Sequence, residues 1–203
     1  MGTEATTSAL KTSRTRRILA YVLAALALLA GTKYGTRLFV LDNFGVVEEG
    51  RIYRSGQPTL HQLEKLIRTH GLRTVINLRE PEAPPALLRG EQALCDQAGV
   101  RMIRLEMPGD GRGSHKQYDE AVAVLRDPTN LPVLVHCARG AYRSGAVIAA
   151  YRVLAQGWSQ EQAVQEMERY RAHLDDHSLV PYLEGYLRSR HAPALAPAAG
   201  PAE

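Results

Sequence analysis

The segment VLVHCARGAYRSG at residues 133–145 carries the strongest structural signal in the sequence. Its first five residues form a compact apolar run that ends at Cys137 and predicts a buried strand. Five residues separate Cys137 from Arg143, and a helical pattern follows. A short loop between a strand and a helix can turn its backbone N–H groups inward and so bind an anion at the positive end of the helix. The sequence therefore predicts a strand, an anion-binding loop and a helix, in that order.

The residue types in this loop suit a phosphate group and an attacking thiolate. The positive field at the helix terminus favours the ionised, nucleophilic form of Cys137, and the planar guanidinium of Arg143 can bind two phosphoryl oxygens. Ser144 can donate a hydrogen bond to the sulfur of Cys137 when a phosphocysteine is hydrolysed, and His136 can order the loop through its ring N–H. The predicted phosphate-binding residues are Ala138, Arg139, Gly140, Ala141, Tyr142 and Arg143, with Gly145 in support.

Covalent catalysis of this kind needs no metal and no cofactor, and we predict none. The pair His173 and His177 lies one helical turn apart, which raises the question of a metal site. A third ligand does not stand out in the sequence, so a solvated helix end is the favoured interpretation.

The string HCARGAYRSG resembles the HCxxGxxR[ST]G signature of the protein tyrosine and dual-specificity phosphatases. Three further segments, GRIYRSGQP, GLRTVINLRE and LPVLVHC, resemble segments of small atypical dual-specificity phosphatases of bacteria, fungi and plants. The likeness covers about residues 44–190. It implies a compact α/β phosphatase fold, phosphocysteine chemistry and a catalytic aspartate on a loop before the signature.

We assign this catalytic aspartate to Asp110. It lies in the Gly-rich segment MPGDGRGSH at residues 107–115, 27 residues before Cys137. A flexible loop would let its carboxyl group close over the phosphate, protonate the leaving oxygen and later activate water. Asp119 is the alternative, although it falls in a predicted helix, where a solvated position is favoured.

Strand and helix patterns alternate along the rest of the chain. The segment VVEEGRIYRSGQP at residues 46–58 predicts a hairpin that turns at Glu49 and Gly50. Apolar runs predict strands at 72–78, 100–107 and 133–137. Apolar spacing predicts helices at about 60–70, 85–98, 116–125, 144–155, 160–173 and 179–190, with capping boxes that begin at Thr59 and Ser159 and glycine stops at Gly71 and Gly99. This order predicts an α/β fold with a mainly parallel central sheet flanked by helices, and a ligand site at the carboxyl ends of the strands.

The N-terminal region is predicted to anchor the chain in a membrane. Basic residues at 11–17 precede an apolar run over 18–34, which reaches the lower end of the length that a bilayer requires. An uncleaved anchor is favoured over a signal peptide, because the best small-residue pattern, Ala25-Leu26-Ala27, lies inside the run. The basic flank places the N-terminus in the cytoplasm and the catalytic domain outside it. The predicted order is a basic tail (1–17), the anchor (18–34), a linker (35–43), the phosphatase domain (44–190) and a disordered tail (191–203).

Charge and cysteine content narrow the function classes further. Residues 1–37 hold six Lys/Arg and one Glu, and subtracting these from the totals of 25 and 21 leaves 19 basic and 20 acidic residues in 38–203. Such a near-neutral body does not predict a nucleic-acid partner. Two cysteines are too few for a disulfide framework. Cys95 is predicted to be a small core residue, with a resolving thiol for oxidised Cys137 as the alternative.

The leading hypothesis is a phosphatase acting on phosphotyrosine, and on phosphoserine or phosphothreonine, in proteins. Phosphoinositides or inositol phosphates are alternative substrates, but highly phosphorylated inositols are less favoured, since Arg139 is the one basic loop residue besides Arg143. An RNA 5′ end, a sulfurtransferase activity and a non-catalytic phosphate-binding module at the membrane are further alternatives. The sequence leaves open whether three further residues lie near the site or have only a structural role: Tyr53, Arg54 and Gln57.

Overall fold

The computed structural model describes residues 19, 21–23, 25, 41–80, 83–174 and 178–191. The chain divides into two units, residues 1–40 and residues 41–203. All strands and helices discussed below belong to the second unit.

A five-stranded sheet forms the centre of this unit. The order of the strands across the sheet is β1-β2-β5-β3-β4, and all neighbours are parallel except β1 and β2, which form the predicted antiparallel hairpin. The strands are β1 (Gly45–Glu48), β2 (Ile52–Ser55), β3 (Thr74–Asn77), β4 (Arg101–Arg104) and β5 (Val133–His136). This arrangement confirms the predicted α/β fold with a mainly parallel sheet.

Within residues 41–191, as far as the structure describes them, six α-helices flank the sheet: α1 (Leu60–His70), α2 (Pro85–Ala98), α3 (His115–Arg126), α4 (Tyr142–Gln156), α5 (Gln160–Arg169) and α6 (Leu179–His191). A short 3₁₀ turn at Pro128–Asn130 precedes β5. Capping boxes at Thr59, Ser114 and Ser159 begin α1, α3 and α5, because each cap hydroxyl accepts a hydrogen bond from the backbone three residues later. Two of these boxes, at Thr59 and Ser159, are the ones that the sequence predicts.

The core lies on both faces of the sheet, since successive strand residues point to opposite faces. Leu134 of β5 packs with Leu63 of α1 and Cys95 of α2 on one face. Its neighbours Val133 and Val135 belong to a larger cluster that includes residues of α3, α4, α5 and α6 on the other face. Helix α4 carries the apolar run AVIAA at residues 146–150, which is fully buried, so this part of the helix forms the interior of the larger layer.

Two helix boundaries differ from the prediction in the region of the loop. Helix α4 begins at Tyr142 instead of Ser144, so Arg143 lies inside its first turn. Helix α5 ends at Arg169 instead of residue 173, because Arg171 adopts a left-handed conformation with φ +63°. The carbonyl of Tyr170 at this helix end accepts a hydrogen bond from the amide of Asn43. The helix end is closed by its own backbone in a Schellman motif, in which the N–H of Ala172 donates to the carbonyl of Met167 and the N–H of Arg171 to that of Glu168. The bond from Asn43 adds a tertiary contact beside this motif.

The predicted location in a membrane is corrected by the structure. Among the described residues, none of the helices combines the length and the apolar character needed to cross a bilayer. Most of the predicted anchor at 18–34, the predicted basic tail at 1–17 and nearly all of the predicted tail at 191–203 lie outside the described residues.

Candidate active site

The loop after β5 lies at the carboxyl end of the central strand, where the sheet topology predicts a ligand site. Cys137 follows β5 directly and is only 2% exposed. The backbone N–H of Gly140 donates to the sulfur of Cys137 at 3.2 Å, and the hydroxyl oxygen of Ser144 lies 3.5 Å from the same sulfur. Two polar hydrogens are therefore available to a thiolate at this position.

Arg143 lies at the amino-terminal end of α4, directly after the loop that contains Cys137. Its side chain is 8% exposed. Burial lowers the pKa of the Arg143 guanidinium, and the nearby charge of Arg79 lowers the pKa further. Arg143 still remains charged, because the ordinary pKa of a guanidinium lies far above neutral. The start of α4 therefore presents a fixed cation together with the positive end of a helix dipole.

A carboxylate, Glu80, occupies the space between these two arginines. Nη2 of Arg79 donates to one oxygen of Glu80 at 3.1 Å, and Nη1 of Arg143 pairs with the other oxygen. The side chain of Glu80 is 27% exposed, so it lies at the mouth of the site. Neither Arg79 nor Glu80 was expected from the sequence to meet Arg143, although both belong to the GLRTVINLRE segment that carries the family resemblance.

His136 is buried behind the loop and has a specific acidic partner. Its Nε2 lies 2.7 Å from Oε1 of Glu91 on α2, and both side chains are almost fully buried. The second oxygen of Glu91 accepts a hydrogen bond from Asn77 at 2.7 Å. Burial would raise the pKa of Glu91, but His136, Gln57 and Asn77 together lower it below its ordinary value. The lowered pKa favours the ionised form of Glu91, which lies against the ring of His136, although neither ring nitrogen meets hydrogen-bond geometry among the described residues.

Asp110 lies in the Gly-rich loop between β4 and α3, as the sequence predicts. A methyl group placed on the adjacent Gly111 would lie 3.4 Å from the backbone of Tyr142, so this loop packs against the start of α4. The carboxylate of Asp110 accepts hydrogen bonds from the backbone N–H of Arg112 at 2.9 Å and from its Nε at 2.7 Å. Partial burial would raise the pKa of Asp110, but these bonds and the charge of Arg112 lower it overall.

The remaining candidates take up different positions. Asp119, the alternative catalytic aspartate, lies on α3 and binds Tyr186 and Arg190 of α6, so it links two helices. Cys95 is fully buried, and burial raises the pKa of its thiol to about 12, as fits a core residue. Tyr53 also lies in the core, where its ring packs at a tilt of 39° against His70, at a centroid distance of 4.3 Å. His177 lies outside the described residues.

The fold and the loop define a class of α/β proteins that carry an anion-binding cysteine loop between the central strand and a buried helix. Residues 38–196 match the tyrosine phosphatase family. Because this match covers well over half of the sequence, the chain belongs to that family. The resemblance inferred from HCARGAYRSG is confirmed.

Named relatives support the same placement. The inositol diphosphatase DSP1 of Oryza sativa subsp. japonica is 31% identical over 134 residues, which cover 64% of this chain and 57% of that protein. The dual specificity protein phosphatase TpbA of Pseudomonas aeruginosa is 30% identical over 122 residues, which cover 58% of this chain and 50% of that protein. The chain thus matches only about half the length of these relatives.

Solved structures confirm the fold. The core catalytic domain of the PP-IP phosphatase SIW14 from Saccharomyces cerevisiae, in complex with citrate, superimposes with a TM-score of 0.62 at 25% identity and covers 72% of this chain and 86% of that one. The structure of P. aeruginosa TpbA gives a TM-score of 0.56 at 26% identity, with 73% and 84% covered.

Proposed function

We propose that the chain is a cysteine-dependent phosphatase that hydrolyses phosphomonoesters through a phosphocysteine intermediate. The primary substrates are phosphotyrosine, and phosphoserine or phosphothreonine, in proteins. The observation that carries the proposal is the geometry around Cys137, whose sulfur receives the N–H of Gly140 and lies beside the hydroxyl of Ser144. A buried structural cysteine would gain nothing from a flanking arginine that is charged and held at a helix terminus.

The reaction has two steps, and Asp110 acts in both of them. The sulfur of Cys137 attacks phosphorus, the S–P bond forms, and the P–O bond to the leaving group breaks while Asp110 gives that oxygen a proton. Arg143 and the loop N–H groups stabilise the charge on the equatorial oxygens. Water, deprotonated by Asp110, then attacks phosphorus and breaks the S–P bond. Ser144 donates to the departing thiolate.

The proposal is tested by phosphate release and by capture of the intermediate, both in the presence of a chelator. Purified chain is mixed with a phosphotyrosine peptide, quenched in acid within milliseconds and digested. We expect a phosphoryl group on the peptide that contains Cys137 and none on the peptide that contains Cys95. Phosphate release without any phosphocysteine, or release that requires an added metal ion, would overturn the mechanism.

A second candidate substrate class is the inositol phosphates. Arg79 places a cation near Arg143 that is not part of the loop, and Arg139 is exposed on the loop itself. Glu80 lies between Arg79 and Arg143 and offsets this added cation. A second phosphate on the same ring would bind Arg79 by displacing Glu80 from it. The rice relative, an inositol diphosphatase by name, supports the same class.

Arg79→Met distinguishes the two substrate classes. We expect kcat/KM for a multiply phosphorylated inositol to fall by about tenfold, the effect of losing one charge-assisted hydrogen bond, with a smaller change for a phosphotyrosine peptide. Arg73→Met is the matched control, because Arg73 is exposed and precedes β3, at the opposite end of that strand. Equal losses on both substrates would show that Arg79 does not select between them.

The pH profile tests the role of Asp110. A general acid must carry a proton, so the basic limb of the profile follows the pKa of Asp110, which Arg112 lowers. Arg112→Gln removes that cation, hence we expect the pKa to rise and the basic limb of kcat/KM to move to higher pH. Lys116→Gln removes a nearby exposed charge and should leave the limb in place. A limb that stays or moves to lower pH in Arg112→Gln would exclude Asp110 as the acid.

A further inference from the structure

The cysteine loop, residues 137–141, connects β5 to α4. Three consecutive carbonyl groups of this loop accept hydrogen bonds from one distant segment of the chain, residues 43–57. The carbonyl of Ala138 accepts from the backbone N–H of Gln57 at 3.2 Å. The carbonyl of Arg139 accepts from Nδ2 of Asn43 at 2.8 Å, and the carbonyl of Gly140 accepts from Nη2 of Arg54 at 2.8 Å. We call these three donors, Asn43, Arg54 and the N–H of Gln57, the carbonyl brace.

The carbonyl brace fixes the orientation of the peptide groups in the loop, on which anion binding depends. A loop that turns its N–H groups toward an anion must turn its carbonyls away from it. Gly140 shows both halves of this arrangement, since its N–H donates to the sulfur of Cys137 while its carbonyl is held by Arg54 on the other side. Its φ is +71°, and a methyl group placed on it would come 2.5 Å from the backbone nitrogen of Gly56. The loop is thus pressed against the end of β2 and fixed there before any phosphate binds.

Arg54 is unusual for a residue that serves only the fold. Its side chain is fully buried, and its guanidinium lies 3.9 Å from the ring centre of Tyr170. Nε and Nη1 are also buried and have no hydrogen-bond partner among the described residues. Burial lowers the pKa of Arg54, against opposing contributions from Glu166, Tyr170 and Cys137. A buried cation with unused donors is unfavourable for folding stability, so its placement calls for a functional explanation.

Asn43 joins the loop to a second element. Its Nδ2 also donates to the carbonyl of Tyr170, the residue that directly follows α5 and stacks on Arg54. Asn43 itself has a left-handed backbone with φ +47°, a conformation that asparagine tolerates better than most residues. The loop, the end of α5 and the end of β2 are therefore held together by two side chains.

We propose that Asn43 and Arg54 are positioning residues, which hold the cysteine loop in its anion-binding shape through the carbonyls of Arg139 and Gly140. The inference rests on the proposed phosphatase function of this loop. Neither side chain touches the substrate. They act by keeping the N–H groups of the loop aimed inward, so that no binding energy is spent on ordering the loop.

Four variants test the proposal: Asn43→Ala, Arg54→Met, Arg54→Lys and the control Arg51→Met. We expect kcat to fall by about 100-fold in Arg54→Met, the usual consequence of a small misplacement of catalytic groups. In Asn43→Ala we expect about a fivefold loss, in line with one neutral hydrogen bond. Arg54→Lys keeps the charge and should recover part of the rate. Arg51 is exposed and directly precedes β2, so its replacement should change nothing.

Two readouts separate positioning from a general loss of stability. The first is the inhibition constant of orthophosphate, which should rise in Asn43→Ala and Arg54→Met. The second is the alkylation rate of Cys137 by iodoacetamide as a function of pH, followed by peptide mass, which should show slower alkylation at neutral pH. Both are measured on protein whose melting temperature equals that of the unaltered chain.

The outcomes divide the two hypotheses. If Arg54→Met does not fold, Asn43→Ala, at a half-buried position, decides the matter alone. Folded variants that hydrolyse substrate and bind orthophosphate like the unaltered chain would overturn the inference and leave the phosphatase function standing. An unaltered chain that neither hydrolyses substrates nor binds orthophosphate would overturn the proposed function, and the inference with it.

Discussion

Replacement of Cys137 by serine is expected to lower kcat by at least about 10⁴-fold on every phosphomonoester, as loss of a nucleophile does in other covalent enzymes. The serine hydroxyl has nearly the same size but stays protonated at neutral pH, so the N–H of Gly140 and the hydroxyl of Ser144 no longer meet an anionic nucleophile. The loop itself should persist. We therefore expect orthophosphate to bind to Cys137→Ser while phosphate release is lost.

Cys95→Ala is the matched control for this variant. Cys95 lies in the smaller core cluster, on α2, and takes no part in the reaction. Its replacement should leave kcat unchanged, even if the core is slightly destabilised. Retention of activity in Cys137→Ser would refute the mechanism. Orthophosphate binding without turnover in the unaltered chain would instead favour a non-catalytic phosphate-binding module.

Replacement of Arg143 by lysine is expected to lower kcat by about 10³-fold, the lower end of what a transition-state arginine contributes in phosphoryl transfer. Lysine keeps the charge but offers a single ammonium group in place of a planar fork, so it cannot bind two equatorial oxygens in the same geometry. The same change leaves Glu80 with a poorer partner at the mouth of the site. The loss should appear in kcat more than in KM, because the fork matters most when charge spreads over the phosphoryl oxygens.

Arg188→Lys provides the comparison for this exchange. Arg188 is exposed on α6 and pairs with Glu184 one turn earlier. The exchange there should have no effect on turnover, since exposed pairs of this kind contribute little. A loss below tenfold in Arg143→Lys would show that Arg143 contributes charge alone, and the assignment of the two-oxygen clamp would have to be abandoned.

Local signals explain why so much of the fold could be predicted. The capping boxes at Thr59 and Ser159 and the left-handed glycines Gly71 and Gly99 mark helix ends through contacts within a few residues, and the structure contains all four. The order of the strands in the sheet does not follow from local signals, because β5 pairs with both β2 and β3 through contacts between distant segments. Sequence patterns predicted a mainly parallel sheet but not this order.

The same distinction applies to the site. Cys137, Gly140, Arg143 and Ser144 are neighbours in sequence, so their spacing alone indicated a phosphate loop. The partners of the loop could not be recognised in this way. From the sequence, Arg54 fits a role near the site and a structural role equally well. The carbonyl that it binds lies 86 positions away, so no local pattern connects the two residues.

Acidic partners of the site were missed for a related reason. Glu80 and Glu91 resemble ordinary solvated carboxylates in sequence, and only the fold brings them to Arg143 and His136. A weak signal was present, since Glu91 falls among apolar residues of α2 and would face the interior.

The carbonyl brace has a consequence for the time at which the enzyme becomes reactive. Its side chains bind carbonyls 96 and 86 positions further along the chain. During synthesis the brace leaves the ribosome well before the loop, and contacts between such distant residues form slowly because closing a long segment is entropically unfavourable. The loop follows β5, so β5 must also pair with β2 and β3 before the start of the loop is fixed in place. A nascent chain from which Cys137 has just emerged therefore contains the nucleophile but not the folded loop that activates it. Its reactivity begins only when β5 has paired with β2 and β3.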